Sequence, residues 1–109
     1  MPHAVFVQEG AAIDHTPVAD VSSGDVIVQG DLVAVARFDV KAGVQGALAV
    51  FGVFDFLKAT NVAYTVGTIL YWDDTNNVVT ATASGNKLIG KVTKAAATTD
   101  TTVRIRMSQ

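Results

Sequence analysis

The chain lacks cysteine, and several other informative residue types are scarce. Its 109 residues include no cysteine, one tryptophan and two prolines. Without a thiol, the chain can form neither a disulfide framework nor a thiolate metal site. The absence fits a reducing compartment but does not prove one, because secreted proteins can also lack cysteine.

Long apolar runs and a high charge density are also missing. No apolar run approaches the roughly 18 residues that a transmembrane helix needs, so we predict no membrane partner. The first residues have neither the basic start nor the long apolar core of a signal peptide. Charged residues make up 17% of the chain and apolar residues 50%, which is too apolar for a disordered segment. A chain this poor in charge often covers apolar surface by assembling with copies or partners.

The charges that are present are unevenly distributed. Residues 1–86 carry a net charge of −6 and residues 87–109 a net charge of +4. Either Arg104 and Arg106 pair with acidic residues on neighbouring strands, or they form a basic surface for an acidic partner or a second subunit. The cations of the C-terminal part are scattered and have no aromatic residues between them. Such a surface is poor at binding phosphates, so we predict no nucleic-acid partner.

The abundant residues favour β structure. The chain contains 18 valines and 12 threonines, which suit a pleated surface. Short apolar runs bounded by Gly, Asn or Asp recur about every 8–12 residues, as in an all-β protein. We predict a compact small barrel or sandwich of about eight short, mostly antiparallel strands. Residues 1–23 are predicted to be an N-terminal arm or edge strand, and residues 24–109 a single β domain.

Several local elements follow from the residue pattern. Residues 26–28 and 32–38 are predicted to form a hairpin around Gly30-Asp31. Residues 73–77, rich in Asp and Asn, are predicted to be a second hairpin loop, between strands at residues 69–72 and 78–83. We place a helical turn near residues 61–64. In the last strand, residues 102–108, the apolar residues alternate with two arginines, so Val103, Ile105 and Met107 should point inward.

Residues 47–57 are predicted to form one strand with two apolar faces. Val50, Phe54 and Phe56 share one face, and Phe51, Val53 and Leu57 share the other. Gly52, in the middle, predicts a bulge or a bend. Cover on both faces is expected either from the interior of a closed barrel or from another subunit.

No motif supports an enzyme. Residues 85–92 match the phosphate loop G-x-x-x-x-G-K, but Val92 replaces the Ser or Thr that holds magnesium. The context is also wrong, since these residues look like a strand opened by a turn. Asp14, His15 and Ser22 or Ser23 supply the residue types of a hydrolytic triad, but triads are recognised by geometry, and one loop contains these types by chance.

The evidence for bound ligands is equally weak. His3, His15 and Asp14 match no zinc spacing. The acidic turn at residues 73–77 lacks the Gly and the distal Glu of an EF-hand, so a solvated turn is favoured over a calcium site. Tyr71 and Trp72 can stack on a sugar, although inward packing of one ring is the favoured interpretation. We therefore predict no cofactor and no metal.

Five segments together resemble a known family. They are residues 24–28 (Gly-Asp-Val-Ile-Val), residues 50–60 with their Phe-Gly-Val-Phe core, residues 67–73 ending in Leu-Tyr-Trp-Asp, residues 88–90 (Leu-Ile-Gly) and residues 100–106 (Asp-Thr-Thr-Val-Arg-Ile-Arg). In this order they resemble the small capsid cement, or head decoration, proteins of tailed bacteriophages and prophages. Members of that family were formerly labelled recombinases of the RecA/RadA type. The broken phosphate loop and the negative net charge give that label no support here.

The resemblance implies an all-β structural protein of the virion. Such a protein binds the outside of a mature head, usually as a homotrimer, and clamps neighbouring subunits of the major capsid protein. It would be made in the cytoplasm of the bacterial host. The family has no catalytic residues to transfer. The alternative is a monomeric β-barrel module that binds a sugar or a peptide.

A set of apolar and basic residues is our candidate for the subunit or capsid interface. These residues come from the N-terminal segment, from residues 47–57 and from the last strand. They are Val5, Phe6, Phe51, Val53, Phe54, Phe56, Arg104 and Arg106.

Overall fold

The computed structural model describes residues 3–109, which form nine strands in two antiparallel sheets. The smaller sheet has the order β1-β4-β3-β2, and the larger sheet has the order β5-β9-β8-β6-β7. The strands are β1 (Ala12–His15), β2 (Val26–Gln29), β3 (Leu32–Ala36), β4 (Gly46–Ala49), β5 (Gly52–Leu57), β6 (Ile69–Asp73), β7 (Val78–Thr80), β8 (Lys87–Lys94) and β9 (Thr102–Met107). The two sheets pack as a sandwich, which confirms the all-β prediction. No helix among the described residues is long and apolar enough to cross a bilayer.

The smaller sheet is built around the predicted valine-rich hairpin. β2 pairs with β3 in register from Val26↔Val35 to Gln29↔Leu32. Both faces of β3 are buried: Val33 and Val35 join the main core, and Ala34 and Ala36 join a second core on the other side. That second core also contains Val21, Val40 and Leu48. The smaller sheet therefore lies between the larger sheet and its own loops.

The main core lies between the two sheets. In β9 the predicted alternation is confirmed, because Val103, Ile105 and Met107 are buried and the residues between them are exposed. Phe56 packs against Trp72, and the centroids of the two rings are 6.1 Å apart. The side chain of Gln109 hydrogen-bonds the backbone of Val33, which ties the end of the chain to the smaller sheet.

Residues 47–57 form two strands, and the prediction of one strand was wrong. β4 ends at Ala49 in the smaller sheet, and β5 begins at Gly52 in the larger sheet. The chain turns between them because Gly52 has a φ of 134°, a conformation that side chains oppose. The predicted bend at this glycine is therefore confirmed. It is a corner at which the chain passes from one sheet to the other.

The larger sheet curls without closing into a barrel. β5 and β7 are its two edges, yet Lys58, directly after β5, meets Val79 in an isolated parallel bridge. Lys58 is only 4% exposed, and its Nζ donates to the carbonyls of Asp100 at 2.7 Å and Ala59 at 3.0 Å. A buried charge satisfied in this way fixes the end of β5 against the loop before β9.

Two smaller features of the prediction also need correction. The helical turn predicted near residues 61–64 was wrong. The chain has a non-helical turn there, and Asn61 has a φ of 74°. β7 ends at Thr80, three residues earlier than expected. The second hairpin loop lies where it was predicted, and Asn77 closes it at a φ of 55°. Such positive φ values are tolerated by Asn, whose short polar side chain can bond the local backbone.

The N-terminal part contains one strand. Residues 3–11 form no strand, and β1 then pairs along β4 at the edge of the smaller sheet. A turn at Gly10-Ala11 separates the two parts, and the side-chain amide of Gln8 donates to the carbonyl of Ala12 at 3.1 Å across it. Residues 3–15 thus comprise a segment without strand structure followed by an edge strand.

Candidate interaction surface

The outer face of the larger sheet carries a row of four exposed side chains across four strands. Strand register places Val53 beside Arg106, Arg106 beside Lys91, and Lys91 beside Ile69. Val53 is 56% exposed and Ile69 46% exposed. The row therefore has two cations in the middle and a large apolar side chain at each end. We call these four residues the outer row.

Arg104 and Arg106 lie on the same face but have different partners. Arg104 bonds the carboxylate of Asp55 on the neighbouring strand through Nε at 3.0 Å and through an Nη atom at 3.3 Å. The Arg104 hydrogen bond holds the pKa of Asp55 below its usual range, and Asp55 in turn raises the pKa of Arg104. Arg106 forms no salt bridge within residues 3–109, and its guanidinium stacks 5.0 Å from the centre of the Phe51 ring.

The first interpretation therefore holds for Arg104, and the second, a basic surface for a partner, stays a prediction for Arg106. Arg104 is neutralised within the subunit, as expected for an exposed ion pair between adjacent strands. Arg106 keeps its charge available next to exposed apolar side chains. A cation held over an aromatic ring beside apolar surface suits a partner that is itself partly apolar and partly acidic.

A groove of about 450 Å³ opens where the two sheets meet. Its exposed apolar side chains are Phe38, which is 70% exposed, Val53, and Phe51, which is 45% exposed. Half-buried Phe54 also lines it, and Phe56 supports Phe54 edge-on from the core at 6.3 Å. We call this the corner groove, because the turn between β4 and β5 forms one of its walls.

Arginine flanks the corner groove at two points. The guanidinium of Arg37 lies 5.8 Å from the centre of the Phe38 ring, and Arg106 lies over Phe51. Neither arginine forms a salt bridge with any of residues 3–109. The corner groove is thus aromatic and basic.

The N-terminal segment exposes apolar side chains next to the corner groove. Val5 is 74% exposed, Phe6 78% and Val7 85%. Ala11 and Ala12, which follow this segment, line the corner groove. Three successive large apolar residues are therefore exposed to solvent within a few residues of an apolar groove that they do not fill.

The structure distributes the candidate interface residues over three places. Val5 and Phe6 lie on the N-terminal segment. Phe51, Val53 and Arg106 come together where the corner groove meets the outer row, and Arg104 lies on the outer face, paired with Asp55. Phe54 is half-buried in the groove, and Phe56, 3% exposed, packs inside the core.

Sequence reasoning missed several members of this surface. Lys91 and Ile69 belong to the outer row, yet only strand register reveals that they are neighbours of Arg106. Phe38 was placed at the end of the strand predicted for residues 32–38, but β3 ends at Ala36 and Phe38 lies beyond it. Residues 69–72 are all apolar and carry no local signal for Ile69, whereas the charge of Lys91 next to apolar strand residues was an available signal for an outward-facing side chain.

The residues considered for catalysis or ligand binding have other roles. The ring of His15 lies 2.7 Å from the Gln29 amide, while the hydroxyl of Ser23 donates to the Arg37 carbonyl. Trp72 is 4% exposed, and its indole NH donates to Asp74 at 3.1 Å. Hydrogen bonds from Asn76 hold the pKa of Asp73 low. No group of three potential metal ligands occurs among the described residues.

Comparison with known proteins gives one family for this chain. Neither a curated protein nor a solved structure matches the chain. A family model described as phage cement protein matches residues 7–107, nearly the whole chain. The match covers both sheets and all nine strands, and that family has a structural, capsid-associated role. The chain therefore belongs to the phage cement proteins.

Proposed function

We propose that this protein binds the outside of an assembled phage head and clamps neighbouring subunits of the major capsid protein. It acts as a homotrimer on the virion of a tailed phage or prophage, after synthesis in the cytoplasm of the bacterial host. It catalyses no reaction and needs no cofactor. It stabilises the shell only through the free energy of its binding to the assembled state.

The outer row is the observation that supports this proposal. Val53, Arg106, Lys91 and Ile69 form a surface that is apolar at its ends and basic in the middle, on a sheet with no loop covering it. A rigid sheet loses little conformational freedom when it binds, so more of the contact energy is retained. The basic centre favours an acidic region of the capsid and raises the rate of encounter.

Binding of this kind stabilises a shell by mass action. A ligand that binds the assembled state and not the dissociated state shifts the equilibrium toward assembly. Each copy needs to contribute only a few kcal/mol, because many identical contacts on one shell act together. A sandwich whose two sheets pack around one main core suits such a role, since no hinge or lid movement is required.

Charge reversal in the outer row tests the proposal. Arg106→Glu should weaken binding to undecorated heads at least about tenfold, because the cation becomes an anion at the centre of the surface. Lys41→Glu is the matched control: it makes the same change in net charge at an exposed side chain outside the outer row. Sedimentation of heads with bound protein gives both dissociation constants. Equal effects of the two substitutions would exclude the outer row as the binding surface.

Arg106 also stacks on Phe51, so Arg106→Glu removes a stacking contact as well as a positive charge. A second variant separates these two effects. Lys91→Glu reverses the neighbouring charge without touching that stack. It should reproduce the loss of binding, with circular dichroism and thermal midpoint close to those of Lys41→Glu. If only Arg106→Glu weakens binding, the stack rather than the charged row would be responsible.

A further inference from the structure

We propose that the N-terminal segment of one copy docks in the corner groove of a second copy. Phe6 and its two valine neighbours would cover the exposed side chains of Phe38, Phe51 and Val53. The inference extends the homotrimer part of the proposed function by naming the contact between copies. Docking between copies requires no capsid. The inference can therefore be wrong while the protein still binds heads, and it can be correct while head binding fails.

Apolar complementarity is the first support. The segment exposes three successive large apolar side chains, each more than 70% accessible. The groove exposes three more on its walls. Each set is unfavourable in water when alone, and joining them removes both from solvent. Because Val5, Phe6 and Val7 are exposed in the single chain, its own groove is not where they lie.

Charge complementarity is the second support. The groove is flanked by Arg37 and Arg106, neither of which has a salt-bridge partner within residues 3–109. The segment carries Glu9, close after its apolar residues. Docking of the segment brings a carboxylate toward a groove that is flanked by these two arginines. The acidic residue of the N-terminal segment in one copy then faces basic residues of a second copy rather than basic residues of its own copy.

Reach is the third support. Residues 3–10 span about 26 Å when extended, at about 3.3 Å per residue. The shortest dimension of the molecule is 23 Å. The segment is therefore long enough to leave its own subunit and lie across a neighbour.

Cysteine trapping tests where the segment docks, and the chain has no native cysteine to interfere. Single variants Val7→Cys and Val53→Cys are mixed in equal amounts and oxidised gently without heads. The linked peptides are then identified by mass spectrometry. Val18→Cys mixed with Val53→Cys is the control, because Val18 is fully exposed at 101% and lies outside both the segment and the groove.

The expected result is a 7–53 crosslink at least about tenfold more abundant than the 18–53 crosslink, because docking raises the local concentration of the two thiols. The double variant Val7→Cys/Val53→Cys should form covalent oligomers. A 7–53 yield equal to the control would overturn the proposal. So would a double variant that forms only an internal disulfide, or a 7–53 link that requires heads.

Oligomer mass gives an independent measurement. Phe6→Ser should raise the dissociation constant of the oligomer at least about tenfold, because loss of a docked aromatic anchor is costly. Val18→Ser, an equally exposed apolar-to-polar change, should leave it unaltered. Phe6 lies outside every strand, so Phe6→Ser cannot act by unfolding the sandwich. Phe51→Asp changes the groove instead and should give monomers. Unchanged sedimentation of Phe6→Ser would contradict the inference.

Discussion

Single residues determine how closely the strands of the larger sheet approach and which charges remain available. Gly90 is the clearest case, because a Cβ at this position would overlap the carbonyl oxygen of Arg106 on β9. Gly46 is similar, with the side chain of Val40 at 2.6 Å from where a Cβ would be. In both places the sequence shows only a glycine, and the packing that requires it appears only in the fold.

Gly90→Ala should destabilise the protein by about 3 kcal/mol, because the added methyl group forces β8 away from β9 at a buried position. Gly10→Ala is the control, since a Cβ there meets nothing within 4 Å, and its effect should stay below about 0.5 kcal/mol. Urea unfolding of both variants measures the difference. A Gly90→Ala protein as stable as Gly10→Ala would show that the two strands are not packed as described.

Asp55→Asn should change the pH dependence of stability. The Arg104 hydrogen bond lowers the pKa of Asp55 in the folded state, so the stabilising contribution is complete above the unfolded value of about 3.9. It is lost as pH falls through the lower, folded pKa. The variant should be less stable than wild type at neutral pH, and the gap should narrow between about pH 5 and pH 2.

Asp14→Asn provides the comparison for that measurement, because Asp14 is exposed on β1 and has no salt bridge within the described residues. Thermal unfolding across the pH range measures all three proteins. At neutral pH the loss of stability should be larger for Asp55→Asn than for Asp14→Asn, because only Asp55 has a salt bridge to Arg104. A gap for Asp55→Asn that stays constant with pH would contradict the assigned role of the Arg104 contact.

The strands themselves were largely predictable, and their assignment to sheets was not. Alternation in β9 and the Gly-Asp turn of the β2–β3 hairpin encode those elements locally. The corner at Gly52 changes sheet within an unbroken apolar run, so periodicity alone could not separate β4 from β5. The corner groove, the outer row and the Arg106–Phe51 stack depend on which strands become neighbours, and long-range register is absent from any local pattern.

At the scale of elements, the N-terminal segment should be separable from the sandwich. Removal of residues 1–9 leaves β1 and both cores intact, so the thermal midpoint of the sandwich should shift by only a few degrees, which is about 1 kcal/mol for a domain of this size. Binding to heads should weaken, because the truncated protein loses contacts with its neighbours. Calorimetry and head sedimentation measure the two effects. Full head binding by the truncated protein would show that the segment has no part in decoration.

At the scale of the whole molecule, the structure is a small β sandwich whose distinctive features are on its surface. The outer row and the corner groove lie on adjoining parts of the larger sheet and share Val53. In the proposed arrangement the capsid contacts the outer row and a second copy contacts the corner groove, with Val53 and Arg106 at the boundary between the two contacts. A ring of copies docked in this way would present several outer rows at once, so that weak individual contacts would combine into stable attachment.

The most direct measurement is the stability of heads with and without this protein. Heads that lack it should release DNA at a lower temperature or under chelation, and purified protein should restore them without ATP or added metal. Arg106→Glu should restore them poorly, while Lys41→Glu should restore them fully. Undecorated heads as stable as decorated ones would contradict the cement function, and restoration that required a nucleotide would contradict stabilisation by binding alone.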